Sequence, residues 1–463
     1  MDSILQRFNE SRSDEGAEPI LRQKLTFDRK PNEFALSFEK RMYERQYYLM
    51  YQRRLEVLRE RVTKKCEAKW DDGFRLRGKL VVKKNKVLDI RASEPCWCVG
   101  TIYCEMKYKP NILDEVVNDV YGAPDLVKSY TDPEGTDEIM LEDESGRILL
   151  VGDLVKKTPF VSGTVVGILG MEAEAGTFQA LDICYPYPIP QAPLPSVPTK
   201  GKIALLSGLN VVPNDPVLST KLKVLEDYLS GDIIDSKEVS KIGRLVICGN
   251  SMHPSSSSDL PGCLNELGGF LVNVLRTIPV DIMPGENDPS DRSLPQQPLH
   301  KALFSDVLSD QLENVEESLF RPVTNPMWFA INGLDLLGTS GQNINDICKY
   351  IIPNFNNTDD LSVEEQTNAR FRMIEGTLKW QNIAPTAPDT LWCYPYQDND
   401  PFILDRWPHV YFIGNQPQFA ARDINLGDDL RVKAITLPEF STTGQIVILD
   451  LDTLDTELIT IRA

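Results

Sequence analysis

Chemistry at neutral pH draws on few side chains, and this chain is poor in the most versatile of them: 463 residues hold three histidines, His253, His300 and His409. A two-metal hydrolytic centre holds its ions roughly 3.5 to 4 Å apart and needs several imidazoles and carboxylates, one of them bridging. Three dispersed histidines do not supply that set, and each is expected to be a hydrogen-bonded structural or surface group. The nine cysteines are odd in number and scattered, with no C-x-x-C spacing, so neither a zinc finger nor a disulfide framework is expected. A reducing, intracellular setting fits that usage. Cys96, Cys98 and Cys104 share the parity of one strand face, too strung out to converge on one ion and suited to packing inside a barrel. There is no Walker loop, no G-x-G-x-x-G and no G-x-S-x-G. Thr339-Ser340-Gly341 offers hydroxyls with no neighbouring histidine to activate them, and reads as a strand-end turn.

Four loops nevertheless stand where α/β sheets build sites, each closing an apolar strand and each holding a glycine. They are Ser207-Gly208-Leu209, Gly249-Asn250-Ser251-Met252-His253, Pro284-Gly285-Glu286-Asn287-Asp288 and Gly414-Asn415-Gln416-Pro417. In order and context they resemble the metal-binding loops of calcineurin-like metallophosphoesterases, whose patterns are Asp-x-His, Gly-Asp-x-x-Asp, Gly-Asn-His-Asp or -Glu, and Gly-His-x-His. Under that resemblance the first Asp falls on Ser207, its His on Leu209, and the bridging Asp on Asn250. The metal-ligand Asn falls on Glu286, the catalytic His on Asn287, and the last two histidines on Asn415 and Pro417. Of the loops' polar side chains only Asp288 matches well, and before Pro289 it reads as a turn-maker. The expectation is a domain with this skeleton but no catalytic residue, no metal and no cofactor. Glu286 and Asp288 could hold at most one hard cation weakly.

These loops need a layered sheet to hold them. Apolar strands at Ile203 to Leu209, Arg244 to Gly249 and Ile278 to Pro284 alternate with a helix from Leu218 to Ser230, the pattern of a layered α/β domain. Asn332-Gly333 predicts a hairpin with a type I′ turn. His409 precedes a strand at Val410 to Ile413, and further strands are expected at Val432 to Leu437 and Gln445 to Leu451. Upstream, period-two alternation marks Val81-Val82, Val87 to Ile90 and Cys96 to Tyr103. Glu138 to Glu142, Arg147 to Leu150, Val161 to Leu169 and Gly176 to Ile183 continue it, with turns at Glu144-Ser145-Gly146 and Glu174-Ala175-Gly176. Short strands in that number point to a small closed barrel, with the OB-fold first among candidates. Lys83-Lys84-Asn85-Lys86 reads as a solvated hairpin tip.

The fold class expected is therefore α/β plus β: N-terminal helices and an OB-fold barrel followed by a layered α/β metallophosphoesterase-like domain. Residues 1–33 form a polar tail whose order depends on docking. Residues 34–69 are helical, with Phe38, Met42, Tyr43, Arg45, Tyr47, Met50, Leu55 and Leu58 as a core stripe. The barrel spans 70–185, a proline-rich extended linker 186–199, and the phosphoesterase-like domain 200–463. The serine run Ser255 to Ser258 reads as a flexible loop. No signal peptide or membrane segment is expected. Net charge is -19, so the surface on average repels nucleic acid. The balance is uneven: residues 1–90 carry 22 Lys and Arg against 15 Asp and Glu, and the rest carry 27 against 53.

The loops sit inside longer strings: VDIMPGENDPSDRSLPQQPLH from Val280 to His300, LLGTSGQNINDICKY from Leu336 to Tyr350, IAPTAPDTLWCYPYQDNDPFI from Ile383 to Ile403, and HVYFIGNQPQF from His409 to Phe419. From about Phe34 onward they resemble the small accessory subunits of DNA polymerase delta. The resemblance implies an OB-fold joined to an inactive phosphoesterase-like domain. It also implies a non-catalytic scaffold for DNA replication and repair in the nucleus. Such a scaffold bridges the cysteine-rich, iron-sulfur C-terminal module of the catalytic subunit to a further accessory subunit, which recruits the sliding clamp. The small subunit of this family also serves the catalytic subunit of translesion polymerase zeta. The iron-sulfur ligands belong to the partner, so no cofactor, no membrane and at most indirect DNA contact are expected here. The alternatives are an OB-fold single-strand DNA-binding module and, behind it, an active phosphoesterase with unusual ligands.

Overall fold

The computed structural model describes residues 20–27, 32–44, 46–70, 73–92, 94–110, 127–173, 176–233, 236–254, 256, 258–306, 308, 319–351, 362–427 and 430–462. Tyr48–Lys69 has no glycine or proline and forms helix α1, which buries Met50, Arg54, Leu58, Val62 and Cys66 along an i, i+4 stripe. A small hairpin follows, β1 (Arg75–Leu76) with β2 (Lys79–Leu80), then β3 (Val82–Lys84). The barrel comprises β4 (Pro95–Glu105), β5 (Glu138–Glu142), β6 (Arg147–Val151), β7 (Val165–Glu172) and β8 (Phe178–Cys184), with helix α2 (Asp153–Lys157) after β6. The strands pair in the order β4-β5-β6-β8-β7, and β4 also pairs with β7, which closes the barrel. Only β6 with β8 runs parallel within the ring. This is the OB-fold.

Alternation along β4 serves two cores. Cys96, Cys98, Ile102 and Cys104 are buried on one face, while Trp97 and Val99 pack with Leu58, Val62, Cys66 and Trp70 on the other. Helix α1 lies so close to β7 that a Cβ on Gly167 would stand 2.3 Å from Cys66 Sγ.

Two sheets form the C-terminal domain. The first comprises β9 (Lys202–Leu206), β10 (Ile242–Cys248), β11 (Val280–Met283), β12 (Phe320–Pro322), β18 (Gln445–Asp450) and β19 (Thr456–Thr460), in the order β12-β11-β10-β9-β18-β19. The second holds β13 (Met327–Ile331), β14 (Leu334–Thr339), β15 (Val410–Gln416), β16 (Ala420–Asn425) and β17 (Arg431–Pro438), in the order β13-β14-β15-β17-β16. Ile203, Leu205, Val246, Phe412 and Ile435 meet between the sheets. The opposite parity, Ala204, Leu206, Leu245 and Ile247, packs on the helices α3 (Pro216–Ser230) and α5 (Leu260–Leu275), between which the short α4 (Ser236–Val239) lies. Tyr411 and Ile413 face α6 (Gln342–Cys348) and α7 (Val363–Lys379) in the core that runs on into the barrel. Helix layers thus cover both outer faces, the layered α/β sandwich expected. Asn332 and Gly333 both have positive φ, 51° and 82°, as the type I′ turn between β13 and β14 requires.

Several expectations are corrected. Between 34 and 47 there is no long helix, only a short 3-10 turn at Phe38–Lys40. Phe38, Met42 and Tyr43 are exposed rather than core, because this stretch lies along the C-terminal domain: Met42 N donates to the Tyr394 hydroxyl (2.6 Å) and Tyr47 donates to Cys393 O (2.9 Å). Arg45 lies outside the described residues. Lys83 and Lys84 do not tip a hairpin, since β3 runs parallel to β4. Lys83 pairs with Glu67 (2.9 Å) and Lys84 with Glu94, so neither cation stands alone in solvent. Residues 186–199 are extended, yet they are held down. Trp407 N donates to Pro190 O (2.9 Å), and Gln191 Nε2 donates to Pro408 O (2.9 Å). Of the tail, 20–27 docks on the sandwich: the Arg22 guanidinium donates to Val239 O, Ile242 O and Leu229 O. The Phe27 ring lies 4.2 Å from the Arg244 and 4.9 Å from the Arg321 guanidinium carbon. Those two arginines converge on the buried Asp281 carboxylate (2.6 and 2.7 Å). The expectations for 1–19, 28–31, Glu174-Ala175, Ser255 and Ser257 fall outside the described residues.

Candidate functional site

The four glycine loops leave the C-terminal ends of β9, β10, β11 and β15, and Thr339-Ser340-Gly341 ends β14 beside them. They gather because the glycines let backbones touch. A Cβ on Gly249 would lie 2.0 Å from Ser340 Oγ, one on Gly285 2.3 Å from Asn250 N, and one on Gly414 2.4 Å from Cys248 O. Asn250 and Asn415 adopt left-handed φ of 53° and 52°, conformations that asparagine tolerates well.

The expected positions do meet, but they bond to one another. Asn415 Nδ2 donates to Ser340 O (2.8 Å), Ser340 Oγ (3.1 Å) and Cys248 O (3.2 Å). Asn415 N donates to Ser207 Oγ (3.0 Å), whose own hydroxyl is within reach of Leu437 O and Pro438 O (3.1 Å each). Asn250 Oδ1 accepts from Asn287 N (3.2 Å), and Asn287 Nδ2 donates to Asn210 Oδ1 (3.3 Å). Leu209 is buried in the helix-side core with Leu206 and Val211, away from the other positions. Glu286 and Pro417 are exposed, and Pro417 lies beside Gln366 and Arg370 of α7.

Asp288, the matching carboxylate, is a turn-maker turned onto backbone. Its oxygens accept from Gly285 N (2.8 Å), Met252 N (2.9 Å) and Ser251 N (3.2 Å). Burial pushes its carboxyl up to about 6, while those amides pull it back down. It ties the β10 loop to the β11 loop. A second tie was not legible beforehand: the Gln296 amide donates to Gly285 O (2.9 Å) and accepts from Asn325 Nδ2 (2.8 Å) and Gln342 Nε2 (2.9 Å). Asn325 Oδ1 in turn accepts from Ser340 N (2.9 Å). Nothing in their spacing distinguishes these amides from ordinary loop residues.

The donor set does not fit a two-metal centre. The bridging position is a neutral amide, two positions are hydrocarbon, and the amide and hydroxyl donors are committed to protein acceptors. Among the described residues no group of three or more His, Cys, Asp or Glu side chains is placed to hold a metal ion. Asn415 Oδ1 and Ser251 Oγ are buried with no partner among the described residues. The histidines stand elsewhere: His409 Nδ1 accepts from Asp335 N (2.9 Å) and His300 Nδ1 from Ala302 N (3.1 Å), while His253 is exposed.

Charge is also buried where the barrel meets the sandwich. Arg54 of α1 pairs with Asp400 at 2.6 Å, both almost wholly buried, and donates to Pro385 O at 2.7 Å. That link holds the first helix to the C-terminal half.

Comparison with known proteins agrees with this architecture. Residues 46–183 match the family described as DNA polymerase delta subunit OB-fold domain, and 203–421 match the B-subunit family of DNA polymerases alpha and epsilon. The chain is 55% identical to the DNA polymerase delta small subunit of Saccharomyces cerevisiae over 486 aligned positions, covering 100% of both. It is 35% identical to the protein of that name in Oryza sativa, over 80% of this chain and 84% of the relative. Identity to the DNA polymerase delta subunit 2 of Drosophila melanogaster is 31%, over 90% and 93%.

Proposed function

Because this chain belongs to the family of DNA polymerase delta small subunits, we propose that it serves as a non-catalytic scaffold. It bridges the cysteine-rich, iron-sulfur C-terminal module of the catalytic subunit to a further accessory subunit. The family makes it an accessory rather than the catalytic subunit of a replicative polymerase. On this reading the chain divides into a tail (1–33), a docked stretch leading into helix α1 (34–69), the barrel (70–185), the proline-rich connection (186–199) and a catalytically silent, metal-free phosphoesterase-like domain (200–463). It acts in the nucleus, meets the sliding clamp only through the further accessory subunit, and also joins the catalytic subunit of polymerase zeta in translesion synthesis and repair.

The observation that supports this most is the neutral character of the two hydrogen-bonded groups at the strand ends, Asn250 with Asn287 and Asn415 with Ser207 and Ser340. It leaves the loop skeleton without the charge that phosphate hydrolysis requires. Direct reading of DNA is disfavoured at the barrel by the carboxylates Glu138, Glu142, Asp143 and Glu144 on and beside β5. Co-expression tests the bridge: all three subunits should co-purify, and omitting this chain should separate the other two. Their stable association without it would contradict the reading.

A further inference from the structure

The proline-rich connection is tied down at both ends and left bare in the middle. Trp407 N donates to Pro190 O (2.9 Å), Gln191 Nε2 donates to Arg431 O (2.7 Å), and Nε2 of the His409 ring donates to Ala192 O (2.8 Å). At the other end Thr199 is buried, its N donating to Asp452 Oδ1 (3.2 Å) and its hydroxyl to Leu451 O. Across residues 193–198 no backbone group bonds to the rest of the described chain. Pro193, Pro195 and Pro198 fix φ near the polyproline II value and offer no N–H, so the stretch has carbonyl oxygens to give and few donors. Its side chains face solvent: Leu194 is 62% exposed and Val197 72%, Pro193, Ser196 and Pro198 are exposed as well, and Pro195 is half-buried.

The spacing of these residues is that of a ligand. Leu194-Pro195 and Val197-Pro198 are two apolar-proline pairs three residues apart, and Lys200, also exposed, follows the second proline by two. A polyproline II helix has three residues per turn, so in that conformation Leu194, Val197 and Lys200 share one edge, with Pro195 and Pro198 beside it. Thr199, which falls off that edge, is the residue turned into this chain. The backbone bends at Ser196 and Val197, a course that no backbone hydrogen bond enforces, so docking can straighten it. A connection that only spanned two domains would need neither the exposed aliphatic pair nor the lysine. The complement of this pattern is a protein groove with two apolar slots walled by aromatic rings, donors for the bare carbonyls, and a carboxylate at the end that meets Lys200. A single lysine is too little charge to hold a phosphate backbone.

We propose that residues 194–200 are a docking strap for a polyproline-binding module of the SH3 type. This site is independent of the scaffold reading. To test it, the full chain is titrated against a panel of purified, immobilised SH3 domains, the set encoded by Saccharomyces cerevisiae, whose DNA polymerase delta small subunit is 55% identical to this chain. Binding is followed by biolayer interferometry for wild type, Pro195→Ala with Pro198→Ala, Lys200→Glu, and Ser196→Ala. Wild type is expected to bind at least one domain saturably, with affinity at least about tenfold lower in the double proline variant and in Lys200→Glu. Ser196→Ala, between the two pairs, should bind as wild type does. Each variant's unfolding midpoint is measured alongside; if loss of the prolines lowers it, Lys200→Glu decides, because that side chain is exposed. Failure of every domain to bind wild type would overturn the proposal. So would binding that survives the proline or the lysine variant, or that Ser196→Ala weakens equally.

Discussion

At the strand ends of the sandwich, Ser207, Asn250, Asn287, Ser340 and Asn415 direct most of their hydrogen bonds at one another and at nearby backbone. Beside α1, the buried Arg54 pairs with Asp400 and donates to Pro385 O, which ties the first helix to the sandwich. Both places are polar, and both join elements far apart in sequence. The difference is that one is held by neutral amides and hydroxyls, with Asn415 Oδ1 left without a partner among the described residues, while the other is held by a buried ion pair. Packing gives the loop glycines a role of their own, because a Cβ on Gly249, Gly285 or Gly414 would collide with a neighbouring loop.

The comparison breaks most sharply at Arg54. Replacing it by leucine leaves Asp400 buried without its partner, which should cost about 3 to 5 kcal/mol and release α1 from the C-terminal half. Denaturant titration would show this as a lower midpoint, and a loss below about 1 kcal/mol would mean that the two halves are held together otherwise. At the strand ends, Gly249→Ala forces a Cβ to within 2.0 Å of Ser340 Oγ at a φ of 82°, with an expected cost of about 3 kcal/mol. A neutral outcome would return the glycines to a role in lost chemistry rather than in packing.

Asp288→Ala strands three backbone amides and should cost about 2 kcal/mol. Because burial raises this carboxyl to about 6, the fold favours its protonated form. That contribution is complete below the ordinary carboxylate range and is lost as pH rises through about 6, so the gap between wild type and variant should narrow between about pH 4 and pH 7. A gap that widens over that range would show the amides outweighing burial. Smallest is Glu286→Ala: an exposed side chain at the tip of the β11 loop, it should shift stability by no more than about 0.5 kcal/mol and leave polymerase function unchanged.

Much of this architecture was legible because local periodicity carries it. The strand at Glu138 to Glu142 was expected with the ends it has in β5, and the Asn332-Gly333 turn could be read from two residues. The meeting of the loops was legible too, since their order and glycines placed Ser207 with Asn415 and Asn250 with Asn287, which the structure brings together. What stayed hidden depended on partners distant in sequence. Period-two alternation at Val82 could not say that β3 runs parallel to β4, and an apolar stripe at Phe38, Met42 and Tyr43 could not say that the chain would leave those side chains in solvent. The Arg54 to Asp400 pair spans 346 residues, and Gln296 with Asn325 is an ordinary pair of amides until the fold buries them together.

The claim that this sandwich is kept for assembly is tested most directly by elemental analysis of the purified full chain, before and after incubation with Mn²⁺ and dialysis. Less than about one ion in ten chains is predicted, because a two-ion clamp needs the bridging carboxylate that Asn250 replaces. Two stoichiometric transition-metal ions per chain, lost on Glu286→Ala, would contradict it.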